Sequence, residues 1–87
     1  MKKNNDFILK EIGDKTVLIP FGKKALDFNG ILTLNDTAKF LWEVCDEEID
    51  TQKLATELKT KYEIDDATAN QAVDAFINQL KEAGCIE

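Results

Sequence analysis

The sequence of 87 residues contains no histidine, no arginine and no serine, so that every basic residue is a lysine. Without an imidazole, the chain lacks the usual general base and a common metal ligand. Without serine and arginine, it lacks a serine nucleophile and the guanidinium that binds phosphate, carboxylate or guanine through paired hydrogen bonds. These absences argue against an enzyme, and we expect no catalytic residue, no metal and no cofactor.

Cysteine is also scarce, with Cys45 and Cys85 lying 40 residues apart. Two thiols without histidine do not complete a zinc site, and small secreted domains generally carry more cysteines than two. We therefore expect both thiols to be reduced and buried. No apolar run is long enough for a signal peptide or a membrane span, so the sequence predicts a cytoplasmic protein that does not contact a membrane.

The chain has one proline and four glycines, while 44% of it is apolar and 32% is charged, which is the composition of one small globular domain over residues 1–87. Residues 1–34 carry a net charge of +2 and residues 35–87 a net charge of −8, for a total of −6. The change of sign coincides with a change from strand-like to helix-like periodicity, which indicates two layers of one domain. The polar residues 1–6 are expected to be flexible.

Two short runs of branched and aromatic side chains predict the first two strands, over residues 7–12 and 16–21. Gly13-Asp14 between them suits a two-residue hairpin turn. In the second run Val17, Ile19 and Phe21 alternate, which predicts that they share a half-buried face.

A third strand is predicted within residues 26–34. Asn29-Gly30 is either the turn of a second hairpin or a bend before a strand at residues 30–34. From residue 35 onward the apolar residues recur at helical spacing, and three helices are predicted. Their first turns are capped by Asn35 or Asp36, by Asp50 or Thr51, and by Asp65 or Asp66, and the third ends at Gly84. The order βββααα is an α+β fold.

Successive helices beside a small sheet are typical of a winged helix-turn-helix, which raises DNA binding as a hypothesis. The predicted third helix, residues 65–83, carries four acidic residues against Lys81 alone. Because acidic side chains repel the phosphate backbone, this helix is poorly suited to reading DNA, and nucleic acid is not the expected partner.

A peptide ligand fits the sequence better. The run of Ile31, Leu32, Thr33 and Leu34 has neither charge nor proline, so a strand here at a sheet edge is able to accept an extended peptide as an added strand. On the third helix, Ile77 lies about 80° from the centre of the apolar stripe, near Asn70, Asp74 and Lys81. Ile77 is either the wall of a groove or part of a broad core stripe.

Residues 31–43, ILTLNDTAKFLWE, resemble the coenzyme PQQ synthesis protein D family, small peptide chaperones that are also called RiPP recognition elements. The similarity continues through Cys45, residues 54–58, Tyr62 and the closing residues 80–86, and covers residues 7–87. The resemblance implies a three-stranded antiparallel sheet packed on a three-helix winged helix-turn-helix bundle.

The resemblance also implies a function. Members bind the leader segment of a ribosomally synthesised precursor peptide as a strand added to the third strand, beside the third helix. They present it to a modifying enzyme, often a radical S-adenosylmethionine maturase. The strand side implied for this chain is Ile31, Leu32, Thr33 and Leu34, and the helix side is drawn from Asn70, Val73, Asp74, Ile77 and Lys81.

Two alternatives stay open at this point. One is a winged-helix regulator that binds nucleic acid. The other is a plain interaction domain whose exposed strand edge pairs with a second copy to form a homodimer.

Overall fold

The computed structural model describes residues 2–3, 6–22 and 32–86. It contains an antiparallel sheet whose strands lie in the order of the chain: β1 (Phe7–Ile12), β2 (Lys15–Pro20) and β3 (Leu32–Leu34). Three helices follow: α1 (Asp36–Val44), α2 (Thr51–Tyr62) and α3 (Asp66–Ala83). The predicted α+β fold with the order βββααα is confirmed. The choice between a turn and a bend at residues 29–30 lies outside the described residues.

A two-residue turn joins β1 to β2, as predicted. Ile12 pairs with Lys15, and Gly13 between them has a φ of 63°. A positive φ at the first central residue alone is the pattern of a type II′ turn, whose twist matches that of the two strands and which favours glycine at this position. This turn sets the register of the whole β1–β2 ladder.

The face of β2 with Val17, Ile19 and Phe21 is partly buried, with Val17 2% and Phe21 41% exposed. Leu18, on the opposite face, belongs to the main hydrophobic cluster. The sequence did not show which face meets the main core. The strand is apolar at four consecutive positions, residues 17–20, so the alternation of apolar residues does not say which of its faces is turned toward the helices.

Local capping bonds explain where each helix begins. The side chains of Asn35, Asp50 and Asp65 each accept hydrogen bonds from backbone N–H groups of the first turn that follows. Gly84, with a φ of 74°, ends α3 in the left-handed conformation that favours glycine. Glu63 ends α2 with a φ of 54°, also in the left-handed conformation.

The core lies between one face of the sheet and the three helices. Trp42 of α1, 5% exposed, packs there with Leu18 of β2 and Leu80 of α3. Cys45 and Cys85 are both free and both buried in the same cluster, as predicted. No helix in the described part of the chain combines the length and the apolar character that a membrane crossing requires.

Two of the first residues, Lys2 and Lys3, pair with segments that follow the helices, while the flexibility of residues 1–6 stays a prediction. Lys2 forms an isolated β-bridge with Glu48, and Lys3 forms one with Ile86. The Lys3 N–H donates to the carbonyl of Glu47 at 2.8 Å. Backbone pairing of this kind does not depend on apolar side chains, which is why composition did not reveal it.

The side chain of Lys3 caps the end of α1. Its ammonium group donates to the carbonyl of Trp42 at 2.9 Å and to the carbonyl of Cys45 at 3.3 Å. It also lies 4.2 Å from the centroid of a Trp42 ring, within range of a cation–π interaction. Partial burial of the ammonium group lowers the pKa of Lys3. A positive charge at the carbonyl end of a helix is favourable.

We expect Lys3→Ala to lower the free energy of unfolding by about 1.5 kcal/mol, because two hydrogen bonds from a charged donor are lost. Lys2→Ala, one residue away and exposed, is the control, and we expect it to change stability by less than about 0.5 kcal/mol. Urea denaturation followed by Trp42 fluorescence measures both. Equal losses in the two variants would contradict the capping role.

The buried thiol of Cys85 makes stability depend on pH in the alkaline range. Burial raises the pKa of Cys85 to about 11, whereas a thiol in an unfolded chain ionises near pH 8.5. The folded protein therefore keeps a proton that the unfolded chain loses. This contribution to stability is complete below about pH 8.5 and is lost as the pH rises toward 11, at about 1.4 kcal/mol per pH unit.

We expect the free energy of unfolding to fall by about 2.5 kcal/mol between pH 8.5 and 11 from this thiol alone. Cys85→Ala is the comparison, since it is less stable at neutral pH but lacks this slope. The shifted groups Lys3 and Cys45 titrate in both proteins, so the difference between the two curves isolates Cys85. Parallel curves would contradict the assignment.

Candidate functional site

The ladder between β1 and β2 determines which way the backbone of β2 faces. The Phe21 N–H donates to the carbonyl of Asp6 at 2.9 Å, so these two residues form a hydrogen-bonded pair. Hydrogen-bonded and non-hydrogen-bonded pairs alternate along an antiparallel ladder. Four residues further on, Lys10 and Val17 are therefore also a hydrogen-bonded pair. The backbone N–H and C=O of Val17 are directed toward β1.

The same alternation determines which backbone groups of β3 point out of the sheet. Val17 faces Thr33 in the β2–β3 register. Because the backbone groups of Val17 are engaged by β1, this pair is a non-hydrogen-bonded one, and the ladder bonds run through the neighbouring pairs Thr16–Leu34 and Leu18–Leu32. The N–H and C=O of Thr33 therefore point away from β2, toward the side of β3 on which no described strand is paired.

The two outward groups of Thr33 differ in their partners. The carbonyl accepts a hydrogen bond of 3.0 Å from the side-chain amide of Gln79 on α3. The N–H has no acceptor among the residues that the structure describes. Within the described part of the chain, Thr33 thus has a partner for its outward carbonyl and none for its outward N–H.

One flank of α3 borders this edge. Ala72, Ala75, Phe76 and Gln79 recur at spacings of three and four residues and therefore share one side of the helix. Together with the start of α1 they line an uncharged cleft, whose full set of residues is Asn35, Thr37, Ala38, Ala72, Ala75, Phe76 and Gln79. The two alanines leave room for another chain to approach the helix.

A second, mostly apolar hollow continues from the cleft toward the end of α2. It shares Thr37 and Ala72 with the cleft and is otherwise lined by Leu58, Tyr62, Ile64 and Thr68. The distance along α3 from Gln79 to Thr68 is about 16 Å at the helical rise, which is the length of about five residues of extended chain.

The predicted strand residues lie at this edge. Leu34 is buried, Leu32 is half-buried and Thr33 is exposed. Ile31, which the sequence places in the same run, lies outside the described residues.

Two of the predicted helix residues belong to the core. Val73 is 2% exposed and Ile77 is 6% exposed, and both lie in the main hydrophobic cluster. Of the two interpretations of Ile77, the structure shows the broad core stripe. Val73 also borders the hollow between α3 and the start of α2.

The remaining predicted helix residues lie on the other side of α3. Asn70, Asp74 and Lys81 are exposed, and at about 100° per residue they stand 140–180° around the helix from Gln79. Asn70 and Asp74 instead border a hollow with Thr51 and Gln52 at the start of α2. The structure does not bring these three residues next to β3.

Sequence reasoning missed Gln79, Ala72 and Ala75. Small or neutral residues on a helix give no signal by composition, and the pattern does not show which flank of the helix meets a strand. The cleft lining contains no ionisable side chain, and no cluster of metal-ligating residues occurs within the described ranges. The arrangement offers backbone pairing and an uncharged surface.

We expect Ile77→Asp to lower the free energy of unfolding by about 3 kcal/mol or more, because it places a carboxylate without a partner in the core. Lys81→Asp adds the same side chain at an exposed position one helical turn away and should cost less than about 1 kcal/mol. Thermal denaturation by circular dichroism distinguishes them. A stable Ile77→Asp protein would show that Ile77 is not part of the core.

Taken together, the fold and the site define a small α+β domain in which the outer edge of β3, unpaired among the described strands, lies beside a helical cleft. Residues 15–86 match the model of the family described as coenzyme PQQ synthesis protein D (PqqD), and this chain belongs to that family. Comparison with curated proteins gave no match.

A solved structure shares the fold across the full chain. It is described as TbiB1 in complex with the TbiA(beta) leader peptide, and it is similar to this chain with a TM-score of 0.77 and 18% sequence identity. The similarity covers 100% of this chain and 95% of that one.

Proposed function

We propose that this chain is a non-catalytic binding module for the leader segment of a ribosomally synthesised precursor peptide. The leader adds as a strand to the outer edge of β3 and lies along the cleft beside α3. The observation that carries the proposal is the outward direction of the Thr33 backbone next to an uncharged helical flank. Membership of the PqqD family and a shared fold with a protein solved in complex with a leader peptide support it.

Backbone pairing supplies the affinity. A guest carbonyl accepts from the Thr33 N–H, and a guest N–H donates to the Thr33 carbonyl, each at a net contribution of about 0.5–1.5 kcal/mol. Such bonds make little demand on the sequence of the guest. Ile31, Leu32 and Leu34 complete the proposed strand side.

The cleft supplies specificity. Alternate side chains of an added strand point to the same face, so every second guest residue is directed at the wall formed by Ala72 and Ala75, beside the largely buried Phe76. An uncharged wall with two alanines favours apolar or small neutral guest side chains. We therefore place the helix side of the site on this flank, in place of Asn70, Val73, Asp74, Ile77 and Lys81.

The module presents the bound leader to a separate modifying enzyme, for which we propose a maturase of the radical S-adenosylmethionine type. The chain has no histidine, arginine or serine with which to perform the modification itself. Its two buried free cysteines agree with a reducing compartment such as the cytoplasm.

Thr33→Pro tests the strand edge. Proline removes the outward N–H while leaving the β2–β3 ladder bonds, since those run through the neighbouring residues. We expect the affinity for a synthetic leader peptide, chosen by a search for a precursor gene near the gene of this chain, to fall by about tenfold or more. Isothermal titration calorimetry measures the loss, and amide shifts confirm that the fold persists.

Glu11→Pro is the matched control. Glu11 lies on the opposite edge strand, β1, and pairs with Thr16 at a non-hydrogen-bonded position, so its N–H also points out of the sheet. This variant should bind the leader as the parent does. Leader-induced amide shifts away from residues 32–34 and α3, equal losses in the two proline variants, or a dimer held through β3 in light scattering would argue against the proposal.

A further inference from the structure

The hydrogen bond between Gln79 and Thr33 spans the place where the guest strand is proposed to lie. The side-chain amide of Gln79 reaches from α3 to the outward carbonyl of β3 at 3.0 Å. That distance is typical of a bond between paired strands. A side-chain amide presents the same N–H donor as a peptide backbone, so Gln79 occupies the acceptor that an added strand requires.

We propose that Gln79 closes the β3 edge in the free protein and that an incoming leader displaces its side-chain amide from the Thr33 carbonyl. The inference rests on the proposed leader binding and adds to it a residue that sets the affinity. The carbonyl is satisfied before and after binding, first by Gln79 and then by a guest N–H. The exchange replaces one hydrogen bond with another.

The open N–H of Thr33 gives the exchange a starting point. It is the outward group without an acceptor among the described residues, and it lies on the same residue as the carbonyl that Gln79 engages. A guest carbonyl binds there first and brings the next guest N–H toward the Thr33 carbonyl. Gln79, half-buried and on a rigid helix, then needs only to change its side-chain conformation.

Closing one of the two groups also protects the free protein. An edge strand with both groups open is a template for pairing with any extended chain, and proteins generally block such edges. β3 carries neither proline nor a charged residue within Leu32–Leu34. Gln79 blocks the edge with a bond that a cognate guest is able to replace.

The affinity of the Gln79→Ala variant tests this exchange. Because the variant has no competing donor, the guest gains a full hydrogen bond to the Thr33 carbonyl, and we expect the leader peptide to bind about three- to tenfold more tightly. Asn78→Ala is the control, since Asn78 is the exposed neighbour on α3 and its truncation changes helix propensity in the same direction. We expect that variant to bind within twofold of the parent. Calorimetry with the same synthetic leader measures all three proteins.

The side-chain amide signals of Gln79 in a nitrogen-15 spectrum provide a second measurement. They should differ from those of an exposed glutamine in the free protein and should move toward the exposed position as the leader is added. Unchanged or weaker binding of Gln79→Ala, with the parent protein binding normally, overturns the exchange and leaves leader binding intact. Absence of binding by the parent as well as the variants overturns both.

Discussion

The direction of the Val17 backbone is the constraint on which the site depends. The two-residue turn at Gly13 pairs Ile12 with Lys15, and the alternation of hydrogen bonds then turns Val17 toward β1. As a result Thr33 directs its N–H and C=O out of the sheet. A shift of the strand register by one residue would move every side chain to the opposite face of the sheet and turn these backbone groups inward. The availability of the β3 edge is therefore decided at a turn near the other end of the sheet.

Helix α3 contributes through the way it is packed. Val73 and Ile77 enter the core, and this orientation brings the flank with Ala72 and Gln79 to the β3 edge. The same rotation turns the acidic residues Asp66 and Asp74 to the other side of α3 from the cleft. The cleft is uncharged for this reason, although the helix as a whole is acidic.

A site that binds through main-chain groups needs few specialised side chains, which agrees with a chain that contains no histidine, arginine or serine. The fold is shared with a leader-bound protein at 18% identity. The strand addition proposed for this chain depends on a backbone edge, which most substitutions leave unchanged. Specificity then depends on individual side chains of the cleft. Among them, Gln79 forms a hydrogen bond with the β3 edge.

The order of elements, the hairpin at Gly13 and the helix boundaries at Asn35, Asp65 and Gly84 were determined by the sequence, because turns and caps are short-range interactions. Tertiary structure alone decided that Ile77 is core, that Gln79 and not Asn70 meets β3, and that Lys3 is docked on α1. Periodicity gives the width of an apolar stripe but not the rotation of a helix against a sheet. That rotation is set by packing contacts between residues that lie far apart in the sequence. A local sequence pattern does not reveal such contacts.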